Sequence, residues 1–343
     1  MSFQYITQIP TPEEIKAEIP LSDKAKRIKA DRDRLIKDAF EGKSARKALV
    51  IGPCSADNEN AVMEYMYRLA DVYAKVNDKL IIIPRIYTNK PRTTGAGYKG
   101  MLHQPDINEK PNIHKGIYTI RRLHKRLVEE TGLTAADEML YPENCRYLDD
   151  ILAYHAVGAR SVENQEHRLT VSGIDEPVGM KNPTSGDLRV LINSIKAAQM
   201  PHRFIFNGYE VQTQGNPLAH AILRGAMNHY GSNIPNYHYE DLMQFSELYL
   251  ESGLDNPAII VDCNHANSMK DYREQPRIAK EVLNNAKNSE AVSRMVKGLM
   301  IESYIMDGCQ PENGTNYGQS ITDGCLGWEK TERLIYEIAD MVQ

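Results

Sequence analysis

Residues 48–86 open with Ala48-Leu49-Val50-Ile51-Gly52-Pro53-Cys54-Ser55 and end with Leu80-Ile81-Ile82-Ile83-Pro84-Arg85-Ile86. Each is a short apolar run that stops at a turn former and passes into polar residues, the pattern of a buried strand. Between them Val62, Tyr65, Leu69, Val72 and Val76 recur every three or four residues, the period of one helix face. Strand, helix and strand in this order imply a parallel pair.

The same alternation continues outward. Further apolar runs occur at Thr134–Leu140, Val157–Val162, Pro177–Lys181, Phe204–Phe206, Ala258–Val261 and Leu299–Ser303. Helical spacing appears at Ile113, Ile117, Ile120, Leu123 and Leu127, at Leu188, Ile192 and Ile195, and at Leu242, Phe245 and Leu248. A last helix reads from Leu326 through Val342. Eight strands and a final helix predict an α/β chain closed as a (β/α)8 TIM barrel over 46–343. A doubly wound open sheet has the same periodicity, and the count of eight favours the barrel. Residues 1–45 stand outside it: a proline-punctuated arm, then a charged helix over Asp23–Phe40 that either caps the barrel floor or serves subunit contact or regulation.

Composition narrows the function. Hydrophobic residues make 41% of 343 and charged residues 25%, an ordinary globular balance. Forty-one Lys and Arg against 46 Asp and Glu leave −5, which gives no reason to expect nucleic acid or an anionic membrane. Five cysteines, an odd and sparse set, fit a reducing compartment better than a disulfide framework. The N-terminus lacks the apolar core of a signal peptide, and the strongest apolar run ends at Pro84. The expectation is a cytoplasmic protein.

Polar residues gather just past the strands, where a barrel places its chemistry. Two long connections, Tyr87 to Asn112 and Gly208 to Tyr239, belong on that face too. Cys54, His265, Glu302 and Asp323 offer a thiolate, an imidazole and two carboxylates, and barrel closure brings the first and last strands together. Such mixed ligation suits a first-row divalent ion. Taken singly, a cysteine is more often a small buried hydrophobe; Cys263 is a weaker rival ligand. The second group is cationic: Arg85, Lys90, Arg92, Lys99, Arg160, Lys181 and Arg224 all lie at or beyond strand ends. In an acidic chain that placement points to phosphate or carboxylate ligands. Solvated rim is the ordinary fate of such residues, and Lys99 fits it as well as a site role.

These residues carry a resemblance. GPCSADN from Gly52, KPRTT from Lys90, GARS from Gly158, GMKNPT from Gly179, LRG from Leu223, DCNHANS from Asp262, ESY from Glu302 and SITDGCLGWE from Ser320 stand in order. From about Lys47 onward the chain resembles 3-deoxy-D-arabino-heptulosonate-7-phosphate (DAHP) synthases of the type I alpha subgroup. The resemblance implies condensation of phosphoenolpyruvate with erythrose 4-phosphate, opening the shikimate pathway. It also implies one divalent metal ion (Mn, Fe, Co or Zn) held by Cys54, His265, Glu302 and Asp323. Arg85, Lys90, Glu138, Arg160, Lys181 and Arg224 match the phosphoenolpyruvate pocket. Arg92 and Thr93 match the erythrose 4-phosphate site, with Asp323 near its hydroxyls. Lys90, Lys181, Glu138 and His265 are the expected catalytic set, with Glu138 the candidate to activate water. A homodimer or homotetramer is implied.

The chain departs from the pattern at GARS-Val162, in place of GARTT, and at Gly95–Lys99, which is one residue longer. It also departs at Cys145-Arg146, Thr170, Ile174-Asp175 and Phe206, which replace a mainly small and apolar phenylalanine pocket. Weak or absent phenylalanine inhibition is expected. Two other readings compete. One is a 3-deoxy-octulosonate-8-phosphate synthase using arabinose 5-phosphate, against which KPRTT argues. The other is a metal-bound barrel without catalysis.

Overall fold

The structure, a computed structural model, describes residues 2–92 and 94–342. Barrel strands are β1 (Lys47–Gly52), β2 (Leu80–Pro84), β3 (Ala136–Glu138), β4 (Tyr154–Val157) and β5 (Val178–Lys181). A hairpin of β6 (Arg203–Phe206) and β7 (Tyr209–Gln212) follows outside the sheet, before β8 (Ala219–Leu223) returns to it. A second small hairpin, β9 (Ala226–Met227) with β10 (Asn233–Ile234), precedes β11 (Ile259–Asp262) and β12 (Val296–Glu302). All ladders in the eight-stranded sheet are parallel, in the order β2-β1-β12-β11-β8-β5-β4-β3. The two ends of that order meet at a bridge between Arg85 and Ala136, where the Ile86 amide donates to the Ala136 carbonyl at 3.0 Å. This closes the (β/α)8 barrel.

Two of the expected strands sit elsewhere. The sixth barrel strand is Ala219–Leu223, inside the stretch read as a loop, and not Phe204–Phe206. The fourth is Tyr154–Val157, so Gly158-Ala159-Arg160-Ser161 follows the strand instead of lying on it. Phe204–Phe206 alternates exposed and half-buried, as an edge hairpin does, whereas every residue of β8 is buried.

Ten α-helices are present among the described residues. The first four are α1 (Pro12–Glu18), α2 (Asp23–Phe40), α3 (Glu59–Val76) and α4 (Ile113–Thr131). Caps fix where they start: Asn58 and Asn112 accept from the Ala61 and Lys115 amides at 3.0 and 2.9 Å.

The core has two layers. Inside the barrel Val50, Ile81, Ile83, Tyr154, Ile222, Ile260 and Met300 pack together, joined from below by Ile36, Ala39 and Phe40 of α2. Thus α2 closes the floor, with the Phe40 ring 4.3 Å from that of His220. His220 is neutral there: burial pushes its pKa down to about 4, its Nδ1 lies 2.8 Å from the Leu218 carbonyl and its Nε2 2.8 Å from Tyr154 Oη. Outside the sheet, the apolar helix faces form a larger sheath that includes Val62, Leu69, Ile117 and Leu123. No helix among the described residues is long and apolar enough to cross a membrane.

Candidate active site

A cavity of about 540 Å³ opens at the C-terminal mouth of the barrel. Arg85, Lys90, Arg92, Glu138, Arg160, Lys181, Arg224, His265 and Asp323 all line it. Residues from seven separate stretches of chain therefore share one space, because each lies at or beyond the C-terminal end of a strand. Thr93 lies outside the described residues. Lys99 does not line the cavity; its backbone carbonyl accepts from the Lys90 amide at 3.0 Å.

At one side of the cavity Cys54, Glu302 and Asp323 each present a donor atom within 4.8 Å of the others. Cys54 comes from the end of β1 and Glu302 ends β12, which pairs directly with β1 (Gly52 opposite Glu302). Cys54 Sγ lies 3.8 Å from Asp323 Oδ2. A thiol and two carboxylates so close repel one another once ionised, unless a cation stands among them. The chain supplies cations at the edges. Lys90 Nζ is 2.7 Å from Cys54 Sγ, Lys270 Nζ is 3.3 Å from Asp323 Oδ1, and Arg85 Nη2 is 2.7 Å from Glu302 Oε1.

Protonation follows from these neighbours. Burial and the Glu302 carboxylate push the Cys54 thiol up, against the pull of Lys90. Burial opposes the Lys90 charge, but Cys54, Glu302 and Asp323 outweigh it and hold the ammonium well above the ordinary lysine range. Burial also opposes ionisation of Asp323 and Glu302. Lys90 and Lys270 overcome it at Asp323, and Arg85 and His265 at Glu302, so both stay below the usual carboxylate range. Two fixed carboxylates, a thiol and an imidazole are a donor set that fits a first-row divalent ion.

His265 stands beside this trio and is not one of the donors that lie mutually within 4.8 Å. Its Nδ1 approaches Asp262 Oδ2 to 2.9 Å, without the alignment of a hydrogen bond, leaving Nε2 as the other ring nitrogen. Burial lowers its pKa, favouring the neutral ring that metals bind. A carboxylate behind an imidazole is the usual support of a ligating histidine.

Several supporting residues escaped the sequence reading. Asp262, fully buried, faces both His265 and Lys181, whose Nζ is 3.5 Å from Oδ2. Burial disfavours its charge, yet His265 and Lys181 keep it far below the carboxylate range. Asn264 Nδ2 donates to Glu302 Oε2 at 2.6 Å, and Gln275 brackets the Glu302 backbone at 2.8 and 2.9 Å. The motif containing Asp262 and Asn264 marked the region; nothing local marked Gln275. Arg85 is more committed than a free anion ligand. It is buried and stacked 3.8 Å over Tyr87, and it also donates to the Pro53 and Cys54 carbonyls at 3.1 and 3.2 Å.

The remaining cations face open space. Arg160 is exposed at the rim and Arg224 half-buried. Burial, reinforced by Arg160, lowers the Arg224 pKa although Asp262 opposes the fall. Arg92 donates through Nε to the Tyr98 carbonyl at 2.8 Å, leaving its outer nitrogens toward the cavity and Glu312, 3.9 Å away. Glu138 is buried at the end of β3, and its Oε1 fills the space a Cβ on Gly158 would need.

A second cavity, about 630 Å³, lies away from this mouth. Arg146, Asp149, Asp175, His155, Phe204 and Phe206 are among its walls.

Residues 18–335 match the model of the DAHP synthetase I family. The chain is 40% identical over 337 residues to the Tyr-sensitive phospho-2-dehydro-3-deoxyheptonate aldolase of Escherichia coli K12, covering 96% of this chain and 91% of that protein. It is 34% identical over 345 residues to the Trp-sensitive enzyme of the same organism, covering 98% and 96%. The solved structure of phospho-2-dehydro-3-deoxyheptonate aldolase from Francisella tularensis SCHU S4 superposes with a TM-score of 0.93 at 31% identity, over 100% of this chain and 99% of that one.

Proposed function

Since the chain belongs to the DAHP synthetase I family, we propose that it condenses phosphoenolpyruvate, D-erythrose 4-phosphate and water to DAHP and phosphate, the first step toward aromatic amino acids. One observation carries this reading: five cations, Lys90, Arg92, Arg160, Lys181 and Arg224, converge on one cavity beside a trio of acidic donors, in a chain of net charge −5. Two anionic substrates meeting in one pocket need such a local reversal of sign.

Lys90, Arg160, Lys181 and Arg224 take the phosphate and carboxylate of phosphoenolpyruvate, and Arg92 with Thr93 the phosphate of the sugar. Arg85 anchors Glu302 behind them. Cys54, His265, Glu302 and Asp323 would hold a divalent ion, which would supply Lewis-acid polarisation of an aldehyde oxygen. C3 of phosphoenolpyruvate attacks the aldehyde carbon, leaving positive character at C2. Glu138 takes a proton from the water that adds there, and phosphate leaves by C–O cleavage. Lys181, which lines the same cavity, delivers a proton to a developing oxygen.

Purified protein given phosphoenolpyruvate with each sugar phosphate tests this. Consumption with erythrose 4-phosphate alone is expected. Turnover with arabinose 5-phosphate would move the chain to the octulosonate synthases, and none with either would leave a non-catalytic barrel.

The relatives named Tyr-sensitive and Trp-sensitive support an aromatic amino-acid effector in the second cavity. We also assign a homo-oligomer, dimer or tetramer. Phe3, Tyr5 and Ile6 of the N-terminal arm and Ile205 and Tyr209 of the β6–β7 hairpin are exposed apolar groups suited to contact. All five cysteines are free, which fits the cytoplasm.

A further inference from the structure

The barrel closes at its weakest seam. Strands β1 and β2 share five register pairs and β3 and β4 three, but β2 and β3 meet only at Arg85 and Ala136. Two candidate site residues, Lys90 and Glu138, lie just beyond that seam on opposite sides. Something other than a strand ladder must fix their separation.

Asp137 does this. Its side chain is buried on the opposite face of β3 from Glu138. Oδ1 accepts from the Thr88 amide at 2.9 Å and from the Glu138 amide at 2.7 Å, and Oδ2 accepts from Thr88 Oγ1 at 2.5 Å. One carboxylate therefore ties the start of the Thr88-Asn89-Lys90 segment to the backbone of Glu138. His124 of α4 stands behind it, Nε2 at 3.8 Å from Oδ2, with neither ring nitrogen hydrogen-bonded. The far end of the same segment puts Lys90 Nζ on Cys54 Sγ.

We propose that Asp137 is a positioning residue for the condensation, setting Lys90 and Glu138 at their working distance across the β2–β3 seam. This rests on the roles given to Lys90 and Glu138 above. A carboxylate is not required for its charge. An amide oxygen accepts from the same two amides, and its NH2 donates to Thr88 Oγ1, which then serves as acceptor. Alanine leaves two buried amides and a hydroxyl without their partner.

Steady-state kinetics on Asp137→Ala, Asp137→Asn and Thr88→Val test the proposal, with melting curves and calorimetric phosphoenolpyruvate binding on the same samples. Wild-type turnover controls the functional reading separately, and the binding measurement does not depend on turnover. Asp137→Ala, assayed well below its melting point, should lose at least tenfold in kcat and bind phosphoenolpyruvate at least threefold more weakly. Asp137→Asn should stay within about twofold on both. Thr88→Val keeps its shape and loses one of the three bonds; it should lose at least threefold in kcat with little change in melting. Folded Asp137→Ala or Thr88→Val with wild-type kcat and binding would reduce Asp137 to a seam clip and overturn the proposal. An Asn variant as impaired as the Ala variant would overturn it too, since charge and not placement would then be what matters.

Discussion

Replacing Gly158 by alanine should disable the enzyme while leaving its fold intact. Gly158 is the first residue after β4, and its φ needs no special conformation. A Cβ built there meets Glu138 Oε1 at 2.2 Å and Glu138 Cδ at 3.3 Å. The obstruction is the tip of a flexible side chain, so the carboxylate yields and the backbone stays. To reach ordinary contact the oxygen retreats by about 1 Å, and misplacement of that size costs roughly 10²-fold in rate. That equals about 2.7 kcal/mol of transition-state stabilisation. Phosphate release at saturating concentrations of both substrates measures kcat, and calorimetry on the same preparation measures melting. The expected result is a kcat about 10²-fold down with melting within about 2 °C of wild type, matched by Glu138→Gln. A Gly158→Ala enzyme with kcat within twofold of wild type would show that Glu138 does not act at the reacting atoms.

Gly179→Ala should do the reverse: its Cβ would lie 2.1 Å from Tyr154 Oη and 2.4 Å from Ile222 Cδ1, and overpacking of a closed core costs about 1–3 kcal/mol or more, read as a lower denaturation midpoint. His220 should make the fold acid-labile. Its pKa is near 4 folded and near 6.5 unfolded, so the unfolded chain binds the extra proton, and stability present above pH 6.5 falls by about 3 kcal/mol as pH drops toward 4. Denaturant titrations across that range should show a shallower slope in His220→Gln than in wild type, the difference being the share His220 contributes. Lys181→Ala or Arg224→Ala should raise the phosphoenolpyruvate KM, and Arg92→Ala mainly that of erythrose 4-phosphate, each by roughly 10- to 150-fold for a lost charged hydrogen bond; the opposite assignment of KM effects would reverse the two subsites. Phenylalanine should inhibit weakly, because Asp175 and Phe206 bring a carboxylate and a bulky ring into the second cavity, and inhibition at micromolar phenylalanine would contradict this.

How far the sequence reached depended on where burial writes a local pattern. Leu80–Ile83 and Ala258–Val261 are covered on both faces and read as unbroken apolar runs, so their strands were legible. Strand β8 is also fully buried, but its sequence, Ala219-His220-Ala221-Ile222-Leu223, hides a neutral histidine paired with Tyr154 and offers little bulk. The aromatic Phe204–Phe206 carries the stronger strand pattern, yet it forms an edge hairpin outside the barrel. Strand β4 likewise contains His155, and the run read after it belongs to the loop. The cations that line the barrel mouth were legible because strand ends concentrate polar side chains in this fold. Asp262, Gln275 and Asp137 were not, because they act through hydrogen bonds to residues distant in sequence, and spacing carries no trace of such contacts.

The proposed function rests on one divalent ion at Cys54, His265, Glu302 and Asp323 organising the condensation of two anions in the barrel mouth. Metal-stripped protein titrated with a single divalent metal, while bound metal and the phosphate released from phosphoenolpyruvate and erythrose 4-phosphate are followed together, tests it most directly. Turnover should be absent without metal and rise linearly to a break at one equivalent per chain, and His265→Ala should bind more weakly and stay inactive while melting as a folded protein. Wild-type turnover by a rigorously metal-free sample would contradict it.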